Sequence, residues 1–173
     1  IALDSEFMRE KTYYAQLCLL QLATEDVIAC IDPLALTDMS PLLDMLYDPD
    51  IIKVLHSSRQ DMEIFYDLRG DLPRPVFDTQ VAAALLGYGD QVGYSGLVQG
   101  MLGVQLDKSQ TRTDWSMRPL TQDQLQYAAD DVRYLGKVYL DQRAELEQRG
   151  RLAWLEADFS ELVDVRLYSN PPE

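Results

Sequence analysis

The order of the apolar runs constrains the fold of this 173-residue chain more than any other feature of its sequence. Three short runs at 1–7, 14–23 and 27–31 follow one another before any helix pattern, so they predict an antiparallel meander of strands. From residue 51 onward, strand and helix patterns alternate, which favours parallel pairing of the later strands. The sequence therefore predicts an α/β fold with a mixed sheet flanked by helices.

The remaining segments are assigned from helical spacing, capping residues and turn residues. Helices are predicted at 40–46, 57–69, 81–86, 121–148 and beyond 150, strands at 51–56 and 75–77, a loop at 103–119, turns at 9–12 and 24–26, and a closing linker at 169–172. Ser40 and Pro41 predict a capped start for the first helix. Thr121 and Gln124 predict a capping box at the start of the longest helix.

The charge balance argues against a nucleic-acid-binding protein unless cations take part. Fifteen Lys and Arg residues against 29 Asp and Glu residues give a formal net charge of −14, whereas proteins that bind nucleic acids usually carry a basic surface. Divalent cations held by acidic side chains would supply the charge that meets phosphate. An unrelated acidic α/β signalling module with one Mg²⁺ is an alternative interpretation of this composition.

Composition also excludes several classes of protein. No apolar run approaches the roughly 18 residues needed to span a bilayer, and two cysteines, Cys18 and Cys30, cannot form a disulfide framework. We therefore expect a reduced, cytoplasmic protein with no membrane partner. The chain begins at Ile1 rather than Met, so we expect a fragment of a longer protein.

Two acidic residues interrupt the first apolar run. Asp4 and Glu6 are two positions apart, so the period of a strand places both carboxylates on the same side of it. They either face solvent on an edge strand or bind a hard cation, which prefers oxygen ligands. Most other acid-x-acid pairs in the chain are interpreted as solvated surface residues.

Four further residues are candidates to join those carboxylates. Asp61 lies one turn into the helix after the strand at 51–56, either as a surface acid near the helix N-terminus or in a pocket at the ends of parallel strands. His56 ends that strand, as a hydrogen-bonded structural residue or as a substrate contact. Tyr127 and Asp131 share one helix face. They are either an interior hydrogen-bonded pair or a hydroxyl that orients water beside a metal-binding carboxylate.

Together these residues resemble the three exonuclease motifs of the DEDD superfamily, in its tyrosine-bearing subgroup. The motifs are Asp4-Ser5-Glu6-Phe7, Leu55-His56-Ser57-Ser58-Arg59-Gln60-Asp61 and Tyr127-Ala128-Ala129-Asp130-Asp131. The segments between them are similar to those of ribonuclease D-like 3′–5′ exonucleases: Phe77-Asp78-Thr79-Gln80, Leu106-Asp107-Lys108-Ser109, Arg112-Thr113-Asp114-Trp115 and Arg118-Pro119-Leu120. The resemblance covers nearly the whole chain.

This resemblance implies an RNase H-like fold, with a 3′–5′ exonuclease catalytic domain over 1–150 and a C-terminal helix over 151–173 that begins a linker to absent helical domains. It implies hydrolysis of RNA at single-stranded 3′ ends to nucleoside 5′-monophosphates, in the 3′ processing of tRNA and other structured RNA. Two divalent ions, Mg²⁺ or Mn²⁺, would serve as cofactors. The matching catalytic positions are the metal ligands Asp4, Glu6, Asp61 and Asp131 and the water-positioning hydroxyl of Tyr127.

Substrate contacts are expected beside these positions. The candidate substrate-binding residues are Ser5, Phe7, His56, Lys108, Arg112 and Arg118. Phe7 either stacks on the terminal base or packs in the core. The three basic residues form a cluster that is rare in this acidic chain, and they either contact phosphate or belong to a solvated loop.

Two other functions remain open from the sequence. The first is a 3′–5′ exodeoxyribonuclease acting on single-stranded DNA, since no residue pattern indicates recognition of the 2′-hydroxyl. The second is a catalytically silent, exonuclease-like module that only binds nucleic acid. The complete acid set and Tyr127 argue against a silent module, because such a module has no need for neighbouring like charges.

Overall fold

The computed structural model describes residues 1–9 and 13–169. Within that part, the strands are β1 (Ala2–Met8), β2 (Gln16–Ala23), β3 (Ile28–Ile31), β4 (Lys53–Leu55) and β5 (Val76–Asp78). The helices are α1 (Ser40–Leu46), α2 (Arg59–Arg69), α3 (Thr79–Leu85), α4 (Tyr94–Leu102), α5 (Gln122–Arg133), α6 (Leu135–Gln148) and α7 (Leu155–Leu162). None of these helices combines the length and apolarity that crossing a membrane requires. The predicted turn at 9–12 and linker at 169–172 lie largely outside the described residues.

The sheet confirms the predicted mixed topology. Its strand order is β3-β2-β1-β4-β5. The first three strands form the antiparallel meander, and β4 and β5 pair in parallel beside β1. Because β1 is the central strand, Asp4 and Glu6 do not face water on a sheet edge. The β1–β2 register shifts between Glu6 and Phe7, so a bulge lies at the end of β1.

Helices cover both faces of the sheet. On one face, α1 and α2 pack against Leu3 and its strand neighbours. On the other face, α3, α5, α6 and α7 pack against Ala2 and its strand neighbours. Because successive strand residues point to opposite faces, Asp4 and Glu6 follow Ala2 toward α5, whereas Ser5 follows Leu3 toward α2. The acids of β1 therefore lie on the α5 face of the sheet, and Ser5 lies on the α2 face.

The predicted longest helix is two helices. α5 ends at Arg133 and α6 begins at Leu135, and Tyr134 between them departs from ideal helical geometry with φ −100° and ψ −9°. Tyr94, the first residue of α4, holds this break. Its hydroxyl donates to Asp130 O at 2.7 Å and accepts the N–H of Tyr134 at 3.4 Å.

The helix starts confirm one capping prediction and correct another. The capping box of Thr121 and Gln124 is confirmed by reciprocal hydrogen bonds of 2.9 and 3.1 Å. The prediction for Ser40 is wrong, because this residue begins α1 without capping it and its own N–H donates to Asp38 Oδ1 at 2.9 Å. α4 was not predicted, because the glycines within it lower the helix propensity of its sequence.

Residues 103–119 form the predicted loop, and one arginine fastens it to the sheet. Arg118 donates to Asp32 Oδ2 and Oδ1 at 2.9 and 2.8 Å, to Cys18 O at 2.7 Å and to Trp115 O at 2.6 Å. These contacts occupy the guanidinium group and tie the loop to β2 and to the end of β3. Arg118 is therefore a structural residue of the loop, and its geometry does not support the predicted phosphate contact.

The segment after residue 150 packs onto the rest of the fold. Leu155 is buried in the core beside α3 and α6, and the ring of Phe159 lies 5.1 Å from that of Phe77 on β5. Tyr168 packs against the opposite core beneath α2. Residues 151–169 thus cover both sheet faces at the edge formed by β5, where the sequence predicted a helix leading into a linker.

Candidate active site

The ends of β1 and β4, the start of α2, and α5 enclose a cavity of about 460 Å³. It is lined by all five predicted catalytic residues, Asp4, Glu6, Asp61, Tyr127 and Asp131. Three of the predicted substrate-binding residues also line it, namely Ser5, Phe7 and His56. The predicted basic contacts lie outside the cavity wall, namely Lys108, Arg112 and Arg118.

Three carboxylates meet on the α5 side of this cavity. Asp4 and Glu6 project from β1 and Asp131 projects from α5, which packs across β1, β2 and β3. One carboxylate oxygen of each residue lies within 4.8 Å of the other two. Hard divalent cations bind carboxylate oxygens at about 2.0–2.6 Å, so oxygens at this separation could share one ion between them.

Asp61 approaches from the opposite face of the sheet. It lies in the first turn of α2 and is 6 % exposed. Its Oδ1 accepts the hydroxyl proton of Ser5, whose side chain points toward α2. Asp61 is not a member of the three-carboxylate group, but its charge is close enough to raise the pKa of Asp4. The fourth predicted ligand therefore lies in the cavity, held there by Ser5.

Burial and mutual repulsion favour the protonated forms of these acids. Burial, and then the charges of the other three acids, raise the pKa of Asp4 well above its usual range. Burial, followed by the charge of Asp131, raises the pKa of Glu6 to about 8. Burial raises the pKa of Asp61 and of Asp131 to about 7, against the opposing effect of their hydrogen bonds. A bound cation would reverse these shifts, because it favours the ionised forms.

Without metal, the folded protein is therefore expected to lose stability as the pH rises. The unfolded carboxyl groups release their protons near pH 4, whereas Glu6, Asp61 and Asp131 hold theirs to about pH 7–8 in the folded chain. The folded state thus binds more protons between these values, and its stability falls across them. We expect the melting temperature in EDTA to fall by several degrees between pH 5 and pH 8.

Two further measurements test the cause of this fall. Saturating Mg²⁺ should remove most of it, because the cation replaces the protons. Asp131→Asn should make it shallower, because one repelling carboxyl group is gone. A melting temperature in EDTA that rises over the same interval would contradict the assigned direction of the pKa shifts.

Tyr127 places a hydroxyl group beside the carboxylates. Its oxygen lies 3.4 Å from Thr111 Oγ1 on the loop, and its ring centroid lies 6.0 Å from that of the buried Trp115. Burial raises the pKa of Tyr127 to about 12, so the hydroxyl stays protonated at neutral pH. It can both donate and accept a hydrogen bond at the cavity wall.

His56 is hydrogen-bonded at both ring nitrogens. Nδ1 lies 2.9 Å from Thr79 Oγ1, and Nε2 lies 2.8 Å from Val92 O. Because a carbonyl only accepts, Nε2 carries a proton, and burial lowers the pKa of His56, which favours the neutral ring. Of the two interpretations from sequence, this geometry supports the hydrogen-bonded structural residue, which still forms part of the cavity wall.

The other predicted contacts differ in how close they lie to the cavity. Phe7 is half-buried and lines the cavity. Lys108 and Arg112 are exposed on the loop, and Arg112 follows Thr111, which lines the cavity.

A buried aspartate fixes the turn that leads into α2. Asp78 ends β5 and is 2 % exposed. Its Oδ1 accepts the N–H of Ser57 at 3.0 Å, and its Oδ2 accepts the N–H and the hydroxyl of Ser58, both at 2.8 Å. Ser57 is held at φ 56°, a conformation uncommon in residues other than glycine. Asp78 belongs to the segment Phe77-Asp78-Thr79-Gln80, which carried part of the resemblance in the sequence. Its hydrogen bonds to the turn were not predicted.

Three more residues near the carboxylates were missed. Tyr94 and Thr111 line the cavity, and nothing in their local sequence distinguishes them from surface residues. Gln21 on β2 donates from Nε2 to Glu6 Oε1 at 3.3 Å. The sequence could have indicated Gln21, because it is a polar residue within an otherwise apolar strand run.

Comparisons with known proteins show what this chain is similar to. The model of the 3′–5′ exonuclease family matches residues 1–147. Ribonuclease D of Sphingobium indicum is 49 % identical over 175 residues, which cover 100 % of this chain and 45 % of that protein. Escherichia coli RNase D, described as an exoribonuclease involved in structured RNA processing, aligns with a TM-score of 0.90 and 45 % identity. That alignment covers 98 % of this chain and 45 % of the other.

A third relative was solved with a metal ion. Brucella melitensis NrnC with bound Mg²⁺ aligns with a TM-score of 0.81 and 30 % identity, over 93 % of this chain and 80 % of that one. The chain spans a little under half the length of the curated relatives it matches. The predicted resemblance and the RNase H-like fold are confirmed by these matches. With the family model matched over 1–147, the chain belongs to the 3′–5′ exonuclease family.

Proposed function

We propose that this chain hydrolyses RNA from single-stranded 3′ ends, releases nucleoside 5′-monophosphates, and acts in the 3′ processing of tRNA and other structured RNA. The supporting observation is that Asp4, Glu6 and Asp131 converge in a cavity that also contains Asp61 and Tyr127. The choice of RNA is supported by the similarity to E. coli RNase D, an exoribonuclease involved in structured RNA processing. We place the catalytic unit in residues 1–150.

The donor set suits two divalent cations, Mg²⁺ or Mn²⁺. Asp4, Glu6, Asp61 and Asp131 would hold them, since all four offer the oxygen ligands that hard cations prefer. When bound, the cations supply positive charge that stabilises the attacking and leaving oxygens of an in-line displacement. The choice of ion is supported by the Mg²⁺ in the NrnC structure.

The protein's own groups orient what enters the cavity. The neutral hydroxyl of Tyr127 hydrogen-bonds the attacking water and aims it at the terminal phosphodiester. Thr111, within 3.4 Å of that hydroxyl, limits its rotation. Ser5 affects the substrate only indirectly, because its hydroxyl donates its hydrogen bond to Asp61.

Three residues outside the carboxylate group contact the substrate. Phe7 stacks on the terminal base, as aromatic side chains do in proteins that bind single strands. Lys108 and Arg112 meet backbone phosphates upstream of the scissile bond, a contact that positions the strand without reading its sequence. His56 contributes a fixed wall to the cavity and offers no free nitrogen to the substrate.

One assay tests this function directly. Single-stranded RNA and DNA of the same sequence, labelled at the 5′ end, are incubated with the chain and Mg²⁺, Mn²⁺ or EDTA. We expect RNA to shorten stepwise from the 3′ end only when a divalent cation is present, with nucleoside 5′-monophosphate as the product. Shortening of DNA alone would favour the deoxyribonuclease, and binding without shortening would identify a silent module.

A further inference from the structure

Gln21 is a fully buried amide that contacts the carboxylate cluster from behind. It lies opposite Asp4 in the β1–β2 ladder, and opposed residues of antiparallel strands project from the same face. Its side chain is 0 % exposed, and its Nε2 donates to Glu6 Oε1 at 3.3 Å. Gln21 does not line the cavity, so it reaches the substrate only through Glu6.

The other end of the same amide is unsatisfied. Gln21 Oε1 is buried and has no hydrogen-bond partner among the described residues. A buried acceptor that has lost its water without gaining a partner destabilises a fold. An apolar side chain of similar size would avoid this penalty, because Leu19 and Ala23, which project from the same face of β2, are buried and apolar. The donation to Glu6 is thus the only described hydrogen bond that the buried Gln21 side chain makes.

We propose that Gln21 is a positioning residue, which holds the Glu6 carboxylate in the orientation that binds a divalent cation together with Asp4 and Asp131. The inference rests on the proposed function, since metal binding by Glu6 is part of it. A glutamate side chain has three rotatable bonds, and movement about them can carry its carboxylate out of the position that binds the cation. The hydrogen bond from Gln21 opposes this movement and prepares the site before the cation arrives.

The chain offers a matched control in Gln142. This residue is also 0 % exposed and also has an unpartnered Oε1. Its Nε2 donates at 2.9 Å to Thr79 O, a backbone carbonyl rather than a carboxylate. Gln142→Met therefore reproduces the loss of a buried amide without touching the cluster.

The experiment is a titration of Mn²⁺ binding by electron paramagnetic resonance, on wild type, Gln21→Met and Gln142→Met. Loss of a group that orients a metal ligand typically weakens metal binding about tenfold to a hundredfold. We expect a loss of this size in Gln21→Met and a change within about twofold in Gln142→Met. In EDTA, Gln21→Met should melt at or above the wild-type temperature, because the unsatisfied acceptor is gone.

Activity supplies a second measurement. The Mg²⁺ concentration for half-maximal hydrolysis should rise in Gln21→Met, whereas the KM for RNA at saturating Mg²⁺ should stay unchanged. If Gln21→Met does not fold, Gln21→Asn keeps a buried amide on a side chain one methylene shorter, which withdraws the donor from Glu6, and it should also weaken Mn²⁺ binding.

The outcomes separate this inference from the proposed function. If Gln21→Met binds Mn²⁺ as wild type does, or loses no more than Gln142→Met, while Glu6→Gln loses binding, Gln21 has no positioning role and the proposed function stands. If Glu6→Gln also binds Mn²⁺ as wild type does, the metal site itself is misassigned, and both proposals fail.

Discussion

Replacing Asp131 with asparagine is expected to lower the rate of 3′-end hydrolysis about a thousandfold. The substitution keeps the side-chain size but removes one of the three carboxylates whose oxygens lie within 4.8 Å of one another. A metal site of this kind supplies several kcal/mol of transition-state stabilisation, and losing about 4 kcal/mol of it corresponds to a factor of about 10³. The measurement is kcat/KM on 5′-labelled single-stranded RNA at saturating Mg²⁺.

The adjacent residue is the control for this substitution. Asp130 Oδ1 accepts hydrogen bonds from Arg133 Nε at 2.8 Å and Gln126 Nε2 at 3.1 Å on the outer face of α5. Asp130→Asn should therefore keep kcat/KM within a few-fold of wild type. In EDTA, Asp131→Asn should be at least as stable as wild type, because it relieves repulsion in the cluster. A rate within tenfold of wild type would remove Asp131 from the proposed metal site.

Asp78→Ala is expected to destabilise the fold by about 3 kcal/mol or more. The substitution leaves the N–H groups of Ser57 and Ser58 without their acceptor and removes the cap of α3, where Asp78 Oδ1 also accepts the N–H of Gln80 at 2.9 Å. A buried donor left without a partner, as the N–H of Ser58 would be, costs about 1–3 kcal/mol, and loss of an N-cap costs about 0.5–2 kcal/mol more. The measurement is the free energy of unfolding in urea.

Asp38 is the control for this substitution, because it makes a similar turn hydrogen bond outside the α2 turn. Asp38 also accepts a backbone N–H two residues ahead, that of Ser40 at 2.9 Å, but it is exposed. Asp38→Ala should cost less than about 1 kcal/mol, because water replaces the lost acceptor. If the two alanine variants unfold within 1 kcal/mol of each other, the network around Asp78 does not support the α2 turn.

The strands were predictable because their information is local. Each apolar run in the meander carries its own period, and short connections leave antiparallel pairing as the simplest arrangement. Asp4 and Glu6 stood out for the same reason, since two charges in an apolar strand are visible without any long-range contact. The same face for Tyr127 and Asp131 followed from helical geometry alone.

What sequence did not reveal depends on contacts between distant segments. The break between α5 and α6 involves Tyr94, 40 residues before Tyr134. Arg118 looked like a free cation, but its partner Asp32 lies 86 residues away. His56 likewise finds Val92 across the fold. Residue type shows which hydrogen bonds and ion pairs a side chain can make. The fold decides which distant residue becomes its partner.

The break between α5 and α6 at Tyr134 affects how a shift of α6 is transmitted to the residues on α5. If α5 and α6 were one continuous rod, any tilt of α6 would swing Tyr127 and Asp131 through the same angle. Because the helix breaks at Tyr134, and because the Tyr94 hydroxyl bonds both Asp130 O and the Tyr134 N–H, the end of α5 is positioned by α4 as well as by α6. A substitution that shifts α6 is therefore expected to displace Tyr127 and Asp131 less than it would through an unbroken helix.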